Sequence, residues 1–201
     1  MGSEGTPTGG GQRQNILNTA LSLMAQRGVA GTSMRELASA TGLNVASLYH
    51  YFPSKQDLLV AVLVERGFLD GLAVTSPTPG EQTPSIQLAD LLNEMLQSML
   101  EVDDFIRLML GEVMRSDETA LAVGHELITS TQSSLERWIA DDQPELAGDA
   151  GPEAVARMLR AMLIGLFFEH VAGVLGDDEP AALRQRAQEV ASILHRQSAG
   201  E

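Results

Sequence analysis

The chain is predicted to be all-α. Apolar residues recur at helical spacing through nearly every long segment of its 201 residues. No segment shows the period-two alternation of a strand, and no internal repeat occurs. Prolines and glycines cluster in a few short stretches, which then read as the breaks between helices.

The elements follow in order. Residues 1–11 are rich in Gly, Ser and Thr and lack the apolar stretch of a signal peptide, so they are expected to be a disordered arm. Residues 13–27 form a first helix, with Ile16, Leu17, Ala20, Leu21, Leu23 and Met24 as a wide apolar stripe. Ser33 and Glu36 make the S-x-x-E capping box that opens a second helix, whose Leu37, Ala38 and Thr41 share one face. Gly42 sits where the chain must turn with positive φ, and Leu43 plugs that turn. Asn44 is a good cap for a third helix ending near Phe52, with Leu48 and Phe52 facing inward. Pro53 stops it. Ser54 and Asp57 open a fourth helix from Lys55 to about Leu72, with Leu58, Leu59, Val62, Leu63 and Phe68 apolar. Three prolines and a glycine make 73–84 a linker. Helical patterns then cover 85–100, 103–114, 118–140, 152–175 and 181–196, separated by breaks at 141–151 and 177–180.

Composition narrows the class. There is no cysteine, hence no disulfide, thiolate metal site or cysteine nucleophile. No apolar run approaches the roughly 20 residues of a membrane span, and a cytoplasmic protein is expected. The net charge of −14 is unevenly spread. Residues 1–55 hold four basic residues (Arg13, Arg27, Arg35, Lys55) and two acidic ones (Glu4, Glu36), a balance of +2. The other nine basic and twenty-five acidic residues give 56–201 a balance of −16. Such asymmetry points to a local nucleic-acid face on an acidic body that repels DNA elsewhere.

The segment 33–55 reads as two short helices around a glycine turn, with a third beginning just after. A second helix presented in this way is how many proteins place side chains in the major groove. Asn44 and Ser47 supply donors and acceptors on short arms, and Val45 and Ala46 supply apolar groups for thymine methyls. Tyr49 and His50 complete the outward face. No Arg or Lys lies between Asn44 and Lys55, so a bidentate arginine–guanine contact from this helix is excluded. Readout by hydroxyls, van der Waals contact and DNA shape is expected. About 4–6 phosphates neutralised per dimer would give a shallow salt dependence.

Residues 13–70 resemble the DNA-binding domain of the TetR family of bacterial transcriptional repressors. The likeness rests on Ile16-Leu17, Ala20-Leu21, Gly28, Thr32-Ser33, Glu36-Leu37-Ala38, Gly42-Leu43, Ser47-Leu48-Tyr49, Tyr51-Phe52, Lys55 and Leu58-Leu59. It covers a little over a quarter of the chain, while the remainder is similar in length and helical character. The resemblance implies that Tyr49 and Tyr51 contact phosphates and adjoining bases. It implies that Lys55 meets phosphate at the start of its helix, and that Ser33 and Arg35 face the backbone or groove.

By the same resemblance, the fold is an N-terminal three-helix DNA-binding domain with a helix-turn-helix at 33–52, followed by a larger helical ligand-binding and dimerisation domain. The expected division is 12–71 for the first and 72–201 for the second. The partners implied are a double-stranded, palindromic DNA operator, a second copy of the chain, and a small apolar or amphipathic effector that releases DNA; no membrane is involved. The last two helical segments are the best dimerising surface. Segment 152–175 is apolar around its circumference, and Val155, Leu159, Leu166, Leu183, Val190 and Leu194 are the expected interface residues. Met95, Met99, Phe105, Met109, Trp138, Met162 and Phe167 suit an adaptable apolar effector pocket, although any helical core uses the same residues. Glu112, His125, Glu169 and His170 are candidate polar anchors.

Other classes fare worse. The sequence holds no G-x-S-x-G, Walker A or Rossmann glycine pattern. His125-Glu126 begins like a zincin motif, but position 129 is Thr, so the two-histidine zinc site is absent. No enzyme activity, cofactor or metal is expected. A repressor is the leading expectation, with an activator of the same architecture or a non-DNA-binding helical scaffold as alternatives.

Overall fold

The computed structural model describes residues 9–66, 83–174 and 179–198. Among the described residues the chain is ten α-helices with no strand, as the sequence predicts. They are α1 (Gly9–Arg27), α2 (Met34–Ala40), α3 (Val45–Tyr51), α4 (Lys55–Arg66), α5 (Pro84–Glu101), α6 (Asp103–Val113), α7 (Glu118–Asp142), α8 (Pro144–Ala147), α9 (Pro152–Val171) and α10 (Glu179–Ser198). A short 3-10 turn, Gly148–Ala150, separates α8 from α9. None of the described helices is long and apolar enough to cross a membrane.

Three boundaries differ from the sequence reading. α1 begins at Gly9, inside the expected arm, because neither a proline nor a capping side chain lies between Gly9 and Arg13 to end it. The break at 141–151 contains α8, where Pro144 occupies the first turn and its missing N–H costs nothing. α9 stops at Val171 rather than near 175. Gly173 takes φ +67°, and the Gly173 and Val174 amides donate to the carbonyls of His170 and Glu169, a Schellman closure. Residues 1–8 of the arm, the end of the fourth helix with Phe68, most of the 73–84 linker and residues 177–178 lie outside the described residues.

The chain divides into two compact units. The first holds α1–α4 together with α6 and the start of α7; the second holds α5, the rest of α7 and α8–α10. In the first, α1 packs on α4, α2 and α6. Its core is Ile16, Leu17, Ala20, Met24, Leu37, Leu48, Leu58, Leu59 and Leu63, all essentially inaccessible. α6 groups with this unit rather than with the residues after 72. Gln56 donates to Asp117 at 3.1 Å, and a Cβ added at Gly28 would lie 3.6 Å from the Arg115 guanidinium. In the second unit, α10 lies along α5, with Leu183, Ala187, Val190 and Ala191 turned inward. The two alanines permit the close approach. α9 packs on α5 and α8. The Gln132 side chain donates to the Glu153 carbonyl and accepts from Arg160, which ties α7 to α9.

Candidate nucleic-acid interface

α2 and α3 are built by local hydrogen bonds that the sequence specifies residue by residue. The Ser33 hydroxyl accepts from the Glu36 amide at 3.2 Å, and the Glu36 carboxylate accepts from the Ser33 amide at 2.9 Å. Those two bonds are the capping box. The Ser33 amide, and after it the Ser33 hydroxyl donating to the same carboxylate at 2.8 Å, hold the Glu36 carboxyl below its usual value. At the other end Gly42 has φ +70°; its amide donates to Ser39, and Leu43 donates to Ala38. A side chain with a Cβ would be strained there. The Asn44 side chain then caps α3 by accepting from the Ser47 amide at 2.8 Å. Ser54 and Asp57 repeat the device at α4.

The outer surfaces of α2, α3 and the α4 start enclose a groove of about 620 Å³, lined by Ser33, Met34, Arg35, Val45, Tyr49, Pro53, Ser54 and Lys55. Five of the expected DNA-contacting residues therefore share one concave surface. Asn44, Ala46 and His50 are exposed beside it and Ser47 is half-exposed, while Tyr51 is half-buried with its ring edge toward His50. Met34, Pro53 and Ser54 were not expected in the groove. Their only sequence signal is adjacency to Ser33 and Lys55.

The charges are not equally available. Arg13 forms a bidentate pair with Glu65, its Nη2 lying 2.6 Å from Oε1, and its guanidinium sits 5.1 Å from the centre of the Phe52 ring. The hydrogen bond to Glu65 raises the Arg13 pKa. Arg27 lies 3.5 Å from Glu36. The Lys55 ammonium donates to the carbonyls of Val29 (2.7 Å) and Thr32 (3.0 Å), which leaves one of its three N–H bonds for another acceptor. Arg35 is exposed in the groove and has no ion pair among the described residues.

The other expected sites fall as follows. Met95, Met99, Trp138 and Phe167 are buried in the second unit and Met162 is half-buried there; Phe105 and Met109 are buried in the first. Glu112 is buried and paired with Arg115, and His125 is exposed. Glu169 lies 3.7 Å from Arg186, and His170 stands against the Phe167 ring. Val155, Leu159, Leu166, Leu183 and Val190 are buried within the chain, and Leu194 is half-buried. The apolar side chains that α9 leaves exposed are instead Met158, Ile164, Phe168 and Val171.

Residues 16–62 match the family described as bacterial regulatory proteins, tetR family. The HTH-type transcriptional repressor KstR2 of Rhodococcus jostii is 44% identical over 62 residues, which are 31% of this chain and 29% of that protein. The chain thus matches less than a third of that relative's length. An uncharacterised HTH-type transcriptional regulator in the dhlA 5′ region of Xanthobacter autotrophicus is 27% identical over 171 residues, 81% of this chain and 80% of the other. The fold is similar to that of a TerR/AcrR-family transcriptional regulator from Aquifex aeolicus. The TM-score is 0.70 at 20% identity, over 92% of this chain and 99% of that one. The chain is thus similar to the TetR family of bacterial transcriptional regulators in the sequence of its helix-turn-helix head, residues 16–62, and in its fold.

Proposed function

We propose that the chain is a cytoplasmic, ligand-responsive repressor that binds a palindromic operator as a homodimer. The observation that carries this reading is the α2/α3 groove, in which Arg35, Tyr49 and Lys55 line one surface with Ser33 and Val45. A short helix with polar and small residues outward, capped by Asn44, suits a major groove. Repression is favoured because a head that occupies DNA blocks polymerase, and because the relative KstR2 is named a repressor.

Two heads about one DNA turn apart, ~34–36 Å, would read the two half-sites. For pairing we favour α9, with α10 beside it. Ile164 and Phe168 are one helical turn apart on the exposed side of α9, with Val171 following. Gly165 is also exposed there, and a Cβ added to it would meet nothing within 4 Å. Val155, Leu159, Leu166, Leu183 and Val190 would back that surface from within. Residues 72–201 would supply effector binding and dimerisation, and an effector would favour a head spacing that no longer fits the operator.

Gel shift with the DNA upstream of the protein's own gene tests the reading. A shifted band is expected at low salt. A folded protein that shifts no such DNA would overturn it.

A further inference from the structure

We infer that the α2/α3 groove seats a thymine nucleotide of double-stranded DNA, and that Val45 is the residue that recognises its C5-methyl. The inference rests on the DNA-binding reading above and names what the groove reads. Of its eight lining residues, Met34, Val45, Tyr49 and Pro53 offer carbon surface. Ser33, Arg35, Ser54 and Lys55 offer hydroxyls or positive charge. Carbon surface and cations therefore line one space of about 620 Å³.

By sequence, Val45 and Ala46 are equal candidates for a thymine methyl. The structure separates them. Val45 is half-buried and lines the groove, whereas Ala46 is exposed beside it. Val45 and Tyr49 are one helical turn apart and share a face of α3. Met34, buried on α2, borders the same space. Val45 is also well fixed. It is the first residue of α3 and directly follows the Asn44 cap, whose side chain accepts from the Ser47 amide at 2.8 Å. A β-branched side chain on a fixed backbone has little rotamer freedom to lose on contact.

The chemistry of the lining selects the occupant. The C5-methyl of thymine is the one apolar group that the four bases present in the major groove. Guanine, adenine and cytosine would set polar edges against Val45, which can satisfy none of them. A bare phosphate would gain nothing from the carbon surface, and an uncharged apolar molecule nothing from the cations. A thymine nucleotide brings both a methyl and a phosphate. Arg35 is exposed in the groove with no ion pair among the described residues, and Lys55 keeps one N–H after its bonds to Val29 and Thr32. These two meet the backbone while Val45 meets the base. Because α3 carries no Arg or Lys, the methyl contact supplies discrimination that a bidentate arginine would otherwise give.

The full-length protein is titrated by gel shift with the DNA upstream of its own gene, amplified once with dTTP and once with dUTP. The second fragment lacks every C5-methyl and keeps its base pairing. Wild type is expected to bind the thymine fragment at least fivefold more tightly. Val45→Ser removes both side-chain methyls at a position where serine suits a helix start, and should bring that ratio below about twofold. Val45→Ile keeps the apolar contact and should retain the wild-type ratio. Circular dichroism melts report the folding of each variant. Equal wild-type affinity for the two fragments would mean that the groove holds backbone alone, and would overturn the inference. A folded Val45→Ser protein that keeps the wild-type ratio would also overturn it, because the methyl is then read elsewhere or through DNA shape. The two readings fail differently. Equal shifts of both fragments leave the regulator standing, and a folded wild type that shifts neither removes the regulator and this inference with it.

Discussion

The Lys55 ammonium lies 2.7 Å from the Val29 carbonyl oxygen. With the second bond to Thr32, it ties the first residue of α4 to the turn between α1 and α2. Lys55 therefore has a folding role besides any contact with phosphate. Lys55→Met keeps the aliphatic stem and removes both bonds. Hydrogen bonds to charged groups contribute about 1.5–3 kcal/mol each at most, and partial exposure discounts this, so a loss of about 1–2 kcal/mol is expected. Urea denaturation of the two proteins measures it, and an unchanged midpoint would mean that the tie is only structural decoration of the folded state.

Arg35 should behave in the opposite way. It is exposed in the same groove with no ion pair among the described residues, so Arg35→Ala should leave the urea midpoint within ~0.5 kcal/mol. Operator affinity should nevertheless fall, and the slope of log K against log[salt] should become shallower by about one per head. Loss of stability without loss of affinity would reverse the roles assigned to Arg35 and Lys55.

The wild-type salt slope follows from the same charge accounting. Arg13 is taken up by Glu65, and Arg27 lies near Glu36, so Arg35 and the remaining N–H of Lys55 are the expected principal phosphate contacts of each head. Together with hydroxyls and amides this gives about 4–6 phosphates per dimer and a slope shallower than about −8. A steeper slope, measured by titration from 50 to 200 mM salt, would require cations that this surface does not offer.

The local parts of this site were legible in the sequence. The Ser33–Glu36 box, the Gly42 turn and the Asn44 cap all act over three or four residues, and each formed as read. The parts that escaped are those where partners are far apart in the chain. Arg13 and Glu65 are separated by 52 positions and Lys55 and Val29 by 26, and no spacing rule connects such pairs. The inward side of α9 escaped for another reason. A helix apolar all round has no polar face from which to infer orientation, so Leu159 and Phe168 look equivalent until α5 and α8 pack against one side.

The capping box makes stability depend on pH with a definite sign. The Glu36 carboxyl is lowered from its ordinary value of 4.5 by the Ser33 amide and hydroxyl. A lowered carboxylate favours the folded state above its unfolded pKa, and that contribution is lost as the pH falls through the folded value. Wild type should therefore lose Tm on acidification from about pH 5 toward 3. Ser33→Ala removes the hydroxyl, so its Tm should be lower near neutrality and its acid limb less steep. Parallel curves for the two proteins would show that the Ser33 hydroxyl adds nothing to the pH dependence.

Leu159 and Phe168 separate core from pairing surface on one helix. Leu159 is fully buried, so Leu159→Ala should cost about 2–5 kcal/mol of stability through lost transfer energy and a residual cavity. Phe168 is 62% exposed in the single chain, so Phe168→Glu should cost the isolated subunit little. If α9 pairs with its copy, the glutamate places like charges and a desolvated carboxylate in the interface. Sedimentation should then show a monomer at concentrations where wild type is a dimer. Operator affinity should fall by at least tenfold, because a single weakly charged head holds DNA poorly. A Phe168→Glu protein that remains a dimer would move the pairing surface off this face of α9.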